Sequence, residues 1–246
     1  EFEKLYTIIM ITVVKKKFHL KYYLYINSKG VIQNNTFKII RYSNFVGTKK
    51  PSFFFHKKCK TVLINLEKEE EVLWKDIKNN TRNEIRRGLN GGLIFNIDVD
   101  VKEFVDFYNH FAIEKGLAIL TIDDCKKYGN NLRITGVALD GKFCVMHAYV
   151  CDMDESIVTL LYSASLRLNK DIDSKMIGIS NRFSHYQDML YFKKEGFSLY
   201  DWGGIYDGDE DLAQMGIAKF KKSFGGEIKA IDVFYSLGYS ILSILK

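Results

Sequence analysis

Two glycine-rich stretches near the end of this 246-residue chain hold the residue types best suited to chemistry. The first is Tyr200-Asp201-Trp202-Gly203-Gly204-Ile205, and the second is Gly216-Ile217-Ala218-Lys219-Phe220-Lys221-Lys222-Ser223-Phe224-Gly225-Gly226. In the first, a strand predicted over Phe197–Asp201 ends on an aspartate and two glycines, so another backbone or a ligand can approach closely. In the second, a helix predicted over Leu212–Phe224 sorts the lysines. At ~100° per residue, Ala213, Ile217, Phe220 and Phe224 form a buried stripe and Lys222 points to solvent. Lys221 lies one turn after Ile217, on the shoulder of that stripe. A lysine there either snorkels past the core or enters a cleft, where its ammonium can hold phosphate oxygens or a developing oxyanion. The acidic loop between the two stretches (Asp207, Asp209, Glu210, Asp211) suits the positive start of a helix, and its spacing is too irregular for a calcium loop.

Other candidates lie on two earlier helices. A long helix over Lys175–Glu195 buries Ile179, Phe183, Tyr186 and Leu190, with Arg182 flanking that face and His185 further round. His185 alone is more often structural than catalytic. His147 lies inside a predicted strand and reads as a satisfied core histidine. Arg82 and Arg86 stand i, i+4 and can present paired guanidinium groups to a phosphate or pyrophosphate, or pair with Glu84 or Asp76 on the surface. The four cysteines show no CxxC pair and no metal-like spacing with the histidines, which fits reduced thiols in a cytoplasmic protein and no metal site. Neither GxGxxG nor GxxxxGK[ST] occurs, which argues against nicotinamide chemistry and nucleotide hydrolysis.

The elements that must position these residues follow from pattern. Phe18–Ile26 and Val31–Ile40 alternate around Lys29-Gly30, predicting a small antiparallel sheet. A looser, lysine-rich stretch, Ser43–Lys60, holds Pro51, the one proline of the chain. Thr61–Leu66 reads as a strand, and from Glu67 the period becomes helical through Leu73, Ile77, Ile85 and Leu89 until Gly91-Gly92. That glycine pair is the expected boundary between an abbreviated first unit (1–92) and a second (93–246), the two moving as one rigid body around a shared cleft. The second unit reads as strand Leu93–Ile97, helices Val101–Lys115 and Asp123–Tyr128, a meander of Leu132–Leu139, Phe143–Cys151 and Ser156–Ser163, the long helix, strand, helix, and strand Ile228–Phe234. A short amphipathic helix over Leu237–Leu245 follows. This is an α/β pattern with an antiparallel meander.

These residues carry a resemblance. Leu160–Arg167 with Ser163 and Ser165, Ile177–Tyr186, the D-x-GG of Asp201-Trp202-Gly203-Gly204, and the FK…FG of Phe220-Lys221 through Phe224-Gly225 resemble the C-terminal signature of FemABX-type transferases. These belong to the GCN5-related N-acyltransferase (GNAT) superfamily. Leu73–Leu89 is similar to the helix that ends their first domain, and the resemblance spans about Leu73 to Phe234. It implies a GNAT-like mixed sheet with flanking helices, preceded by an abbreviated second GNAT-like α/β unit. It also implies transfer of an acyl or aminoacyl group to an amine, from acyl-CoA or aminoacyl-tRNA as co-substrate, with no permanently bound cofactor or metal. The acceptor implied is an amine of a cell-envelope glycan or peptidoglycan precursor. Lys221 matches the family's lysine near the reacting ester and would stabilise the oxyanion, together with backbone N–H groups near Gly203 and Gly204. Asp201 would orient the amine or take its proton. Trp202, Phe220, Arg182, His185, Ser163, Ser165, Arg82 and Arg86 would bind substrate. Arg167–Gly178 stands where a CoA-pyrophosphate loop would lie, with a different glycine spacing.

The net charge of +6 is compatible with tRNA as a partner, and DNA is not expected. The apolar run Leu5–Val14 is shorter than a membrane span and precedes its lysines, the reverse of a secretion signal, so a cytoplasmic protein with at most peripheral membrane contact is expected. The alternative is a non-catalytic, degenerate GNAT-like binding protein that recognises tRNA or a protein partner.

Overall fold

The computed structural model describes residues 11–17, 19–28, 38–45, 51–167 and 173–244. In chain order the elements are β1 (Ile11–Lys17), β2 (Leu20–Ile26), β3 (Ile40–Phe45), β4 (Phe55–Asn65), α1 (Glu70–Asp76), α2 (Asn79–Asn90), β5 (Ile94–Ile97), α3 (Val101–Lys115) and α4 (Ile122–Lys126). They continue with β6 (Leu132–Leu139), β7 (Lys142–Asp152), β8 (Ile157–Ser165), α5 (Ser174–Lys194), β9 (Leu199–Ile205), α6 (Leu212–Lys222), β10 (Glu227–Tyr235) and α7 (Leu237–Ile244). The α/β class is as expected. By packing, the chain divides into Glu1–Lys60 with Lys229–Lys246, and Thr61–Ile228. The division falls inside β4 and not at Gly91-Gly92. The reason is the packing of α2 on α5 within the second unit, where a Cβ on Gly88 would sit 2.8 Å from Phe183 Cβ.

In the first unit β1 pairs antiparallel with β2, β2 runs parallel to β3, and β3 is antiparallel to β10. Tyr25, Ile40, Tyr42, Phe45 and Phe234 form its core. The expected antiparallel hairpin around Lys29-Gly30 lies outside the described residues. The strand on its far side is β3, and its pairing with β2 is parallel. β4 also begins earlier than expected, inside the lysine-rich stretch. Its exposed lysines mask the alternation, while Phe55 stacks on Tyr235 and His56 pairs with Asp232 at 2.6 Å.

In the second unit the sheet order is β4-β9-β8-β7-β6-β5. β5 to β8 are antiparallel neighbours and β8 to β9 is parallel. The expected single helix before Gly91 is two, α1 and α2, because Ile77 is extended and buried between them. Leu73, Ile77 and Ile85 are buried as expected, but Leu89 is exposed, since small Gly88 takes the contact with α5. α3 matches its expected span, capped by Asp100 and closed by Gly116 in the left-handed region. On α6 the expected stripe holds only at its end. Phe224 is buried and Phe220 half-buried, whereas Ala213 and Ile217 are exposed and Ala218 is the buried residue. Only the C-terminal half of α6 packs on the core around Trp202. Asp211 caps its start by accepting from Gln214 N at 3.0 Å, the structural role read for the acidic loop.

Candidate active site

The central feature is where two parallel strands part. β8 and β9 pair through Ile157↔Leu199, Val158↔Tyr200 and Thr159↔Asp201, and there the pairing stops, although β8 runs on to Ser165 and β9 to Ile205. Gly203 makes the parting, with φ +67° and space for a Cβ only 3.1 Å from Leu160 O. Beyond this point Lys221 Nζ donates to Trp202 O (2.8 Å) and Gly204 O (2.9 Å). Gly203 O, between them, accepts from Thr61 of β4 at 2.7 Å. The end of α6 thus delivers an ammonium to the opening, while Lys222 is exposed as expected.

Asp201 is buried beside it. Its Oδ1 accepts from Gly203 N at 2.8 Å and is in short contact with Thr61 Oγ1. The threonine has one hydrogen for two acceptors, Asp201 and Gly203 O. Burial raises the Asp201 carboxyl above its ordinary range, against the lowering effects of Thr61, Gly203 N–H and Lys221. Burial lowers the Lys221 ammonium, and Asp201 opposes that shift.

His185 is fully buried, although helical spacing places it further round than the flank that Arg182 takes. The strands facing α5 present polar side chains, so this helix buries Ser184, His185 and Asp188 along with Phe183 and Met189. Asp188 accepts from Thr135 Oγ1 (2.6 Å) and Tyr149 OH (2.7 Å) and pairs with His147 Nδ1 (2.7 Å). His147 also contacts Asn181 Oδ1 at 3.1 Å, the satisfied core histidine expected. Tyr149 OH contacts Tyr200 OH at 2.8 Å, and Tyr200 OH contacts His185 Nδ1 at 3.0 Å. The His185 ring stacks on His147 and packs against Trp202, centroids 4.0 and 4.3 Å apart. His147, His185 and Asp188 offer ligand atoms within 4.8 Å of one another, but the pairings above occupy the Nδ1 of both histidines and both Asp188 oxygens.

A cavity of about 520 Å³ opens beside α6, lined by Lys78, Thr81 and Glu84 near the start of α2, Arg182 of α5, and Lys219 and Phe220 of α6 among others. Arg182 pairs with Glu84 at 3.0 Å and lies over the Phe220 ring at 5.1 Å. Of the candidate binding residues, the structure therefore groups Lys221, Asp201, Trp202, Gly203 and Gly204 at the strand opening, and Arg182 and Phe220 at the cavity. Ser163 and Ser165 are half-buried on β8 past the last β9 pair, opposite His147 and Val145. Arg82 and Arg86 are occupied within the fold. Arg82 Nη1 donates to Trp74 O (3.3 Å) and Lys75 O (2.9 Å), closing the end of α1. Arg86 stacks over Trp74 at 5.2 Å and donates to Asn83. The second glycine pair is architectural. Gly225 and Gly226 both have positive φ, and a Cβ on Gly226 would meet Leu63 O at 2.5 Å. Part of the Arg167–Gly178 segment lies outside the described residues. Thr61, Tyr149 and Asp188 escaped the sequence reading, because their partners lie far apart in the chain.

No family model and no curated protein matches the sequence. Solved structures do match. The crystal structure of FemX is 15% identical with a TM-score of 0.67, covering 99% of this chain and 89% of its own. The C-terminal domain of a putative lysylphosphatidylglycerol synthetase from Agrobacterium fabrum is 11% identical with a TM-score of 0.58, covering 95% and 83%. The L-PGS structure from Bacillus licheniformis is 10% identical with a TM-score of 0.57, covering 95% and 82%. No helix among the described residues is long and apolar enough to cross a membrane. The mixed α/β fold expected for this chain is the fold it adopts, and it is similar to the folds of FemX and of the lysylphosphatidylglycerol synthetase domain.

Proposed function

We propose that this chain is a transferase that moves an acyl or aminoacyl group from an activated ester or thioester to an amine. The observation that carries this reading is the parting of β8 from β9 with the Lys221 ammonium held at it by two backbone carbonyls. Carbonyl attack builds negative charge on one oxygen, and a preorganised ammonium in a partly dry site stabilises that charge more than the ground state. Gly203 N–H is already given to Asp201, so the Lys221 ammonium is the donor this reading rests on. Asp201, buried and one residue before the parting, orients the attacking amine through Oδ2 or the shared Thr61 hydroxyl. The cavity with Lys78, Lys219 and Arg182 would receive the phosphorylated part of the donor, acyl-CoA or aminoacyl-tRNA. The acceptor in this reading is an amine of a cell-envelope glycan, peptide or lipid precursor, which the likeness to FemX and to the lysylphosphatidylglycerol synthetase domain supports at the level of fold.

Thermal-shift titration against acyl-CoA, aminoacyl-tRNA and nucleotide-linked amino sugars identifies the donor class, because stabilisation grows with ligand concentration over Kd. Transfer of labelled acyl group from the stabilising donor to an amine then tests the activity. Stabilisation by tRNA without transfer to any amine would favour the binding-protein alternative.

A further inference from the structure

Charge divides between the two units far more unevenly than the net +6 suggests. The first unit, Glu1–Lys60 with Lys229–Lys246, carries 15 Lys and Arg against 3 Asp and Glu, a net of +12. The second carries 21 against 27, a net of −6. A basic unit joined to an acidic one marks which part meets a polyanion. The same first unit holds α7, which is apolar on two opposite sides. Leu242 is buried, and Tyr239 packs against Tyr22 of β2 and Tyr235 of β10, so that side lies on the sheet. Leu237, Ile241 and Ile244 face away and are 59%, 55% and 76% exposed. At ~100° per residue the three fall within about 60° of one another. Phe55 stacks on Tyr235, which neighbours Tyr239, and is itself 48% exposed, so it extends the patch. Lys57, two residues on along β4, shares that face and is exposed. Lys15, paired across strands with Tyr22, stands on it as well. Among the described residues of this unit the single acid is Asp232, and it pairs with His56, which points to the face opposite Phe55.

We propose that this side of the first unit is a membrane-contact surface, on which α7 lies in the headgroup region of an anionic bilayer. The proposal stands apart from the transfer reaction above. A bilayer fits both halves of the observation. The Leu and Ile side chains leave water for the acyl-chain boundary, and the lysines meet lipid phosphates. RNA would satisfy the charge but not α7, because Leu and Ile offer bases no ring on which to stack. Three aliphatic side chains on an eight-residue helix are too few to hold the chain alone, so charge and apolar contact act together. Binding of this kind is reversible and weakens with salt.

The test is sedimentation of the full chain with vesicles of equal parts phosphatidylcholine and phosphatidylglycerol, against vesicles of phosphatidylcholine alone. The anionic vesicles should bind roughly tenfold more tightly or better, and high salt should remove most of that difference. Ile241→Ser combined with Ile244→Ser should weaken binding roughly tenfold, and Lys57→Glu should weaken it several-fold. These positions are exposed, so thermal unfolding should match the wild type, and the lipid and salt dependence of the wild-type chain needs no variant. Wild-type binding by the folded double serine variant overturns the role of α7. Equal binding to neutral and anionic vesicles overturns the role of the lysines. Binding to mixed tRNA with none to vesicles overturns the proposal in favour of an RNA surface. A dimer that the double serine variant dissociates, again with no vesicle binding, overturns it in favour of a second copy of this chain. No arm reads transfer, so each of these failures leaves the proposed reaction standing.

Discussion

The Asp188 cluster and the Asp201–Lys221 cluster both sit in the second unit, and both bury charged groups, yet they are completed differently. Around Asp188 three side-chain partners converge on one carboxylate from β6 and β7. Around Lys221 the partners are two backbone carbonyls at a place where strand pairing has stopped, and the neighbouring Asp201 shares one hydroxyl with a third carbonyl. The first cluster is closed and holds elements together. In the second, the ammonium is held by backbone carbonyls of β9 beside the place where β8 and β9 stop pairing. A saturated polar core supports shape, whereas a charge held at an unfilled opening can act on something that enters it.

Substitutions separate the two ends. Asp188→Asn should cost about 3 kcal/mol of stability, since an amide group then faces donors that need an acceptor, and chemical denaturation measures it. Asp201→Asn should leave the fold intact and lower transfer roughly tenfold, and an equal loss of stability at both aspartates would erase the distinction. Gly203→Ala should cost about 1–2 kcal/mol, because its φ is +67° and Leu160 O stands 3.1 Å from the new Cβ. The smallest effect is a slope with pH. The folded His185 binds its proton more weakly than an unfolded histidine, so stability is lost as pH falls through the region below 6.5. His185→Gln should flatten that part of the stability curve, and an unchanged slope would show that the buried ring does not titrate as described.

Much of the second unit was legible from local pattern. Asp100, Gly116 and the apolar spacing of Phe104, Val105 and Tyr108 set α3, and the Asp140-Gly141 turn set the β6–β7 hairpin. The half-buried position of Lys221 was legible too, from its place on the shoulder of the helical stripe. What escaped depends on partners distant in sequence. Nothing near Asp188 announces that Thr135 and Tyr149 will meet it, and nothing near Thr61 announces Asp201. The first half of β4 hid behind its lysines, which are exposed on a strand whose register Asp232 and Tyr235 help to hold. Ala213 and Ile217 misled because helical period marks a face but does not say how far along the helix a core extends.

The central claim is that the opening at Asp201, with the Lys221 ammonium in it, carries the chemistry. Single-turnover transfer from a bound donor to an amine, wild type against Lys221→Ala, tests it most directly. The variant should fold normally, bind donor with unchanged affinity and transfer ~10²–10³-fold more slowly. A folded Lys221→Ala chain that transfers at the wild-type rate would contradict the account.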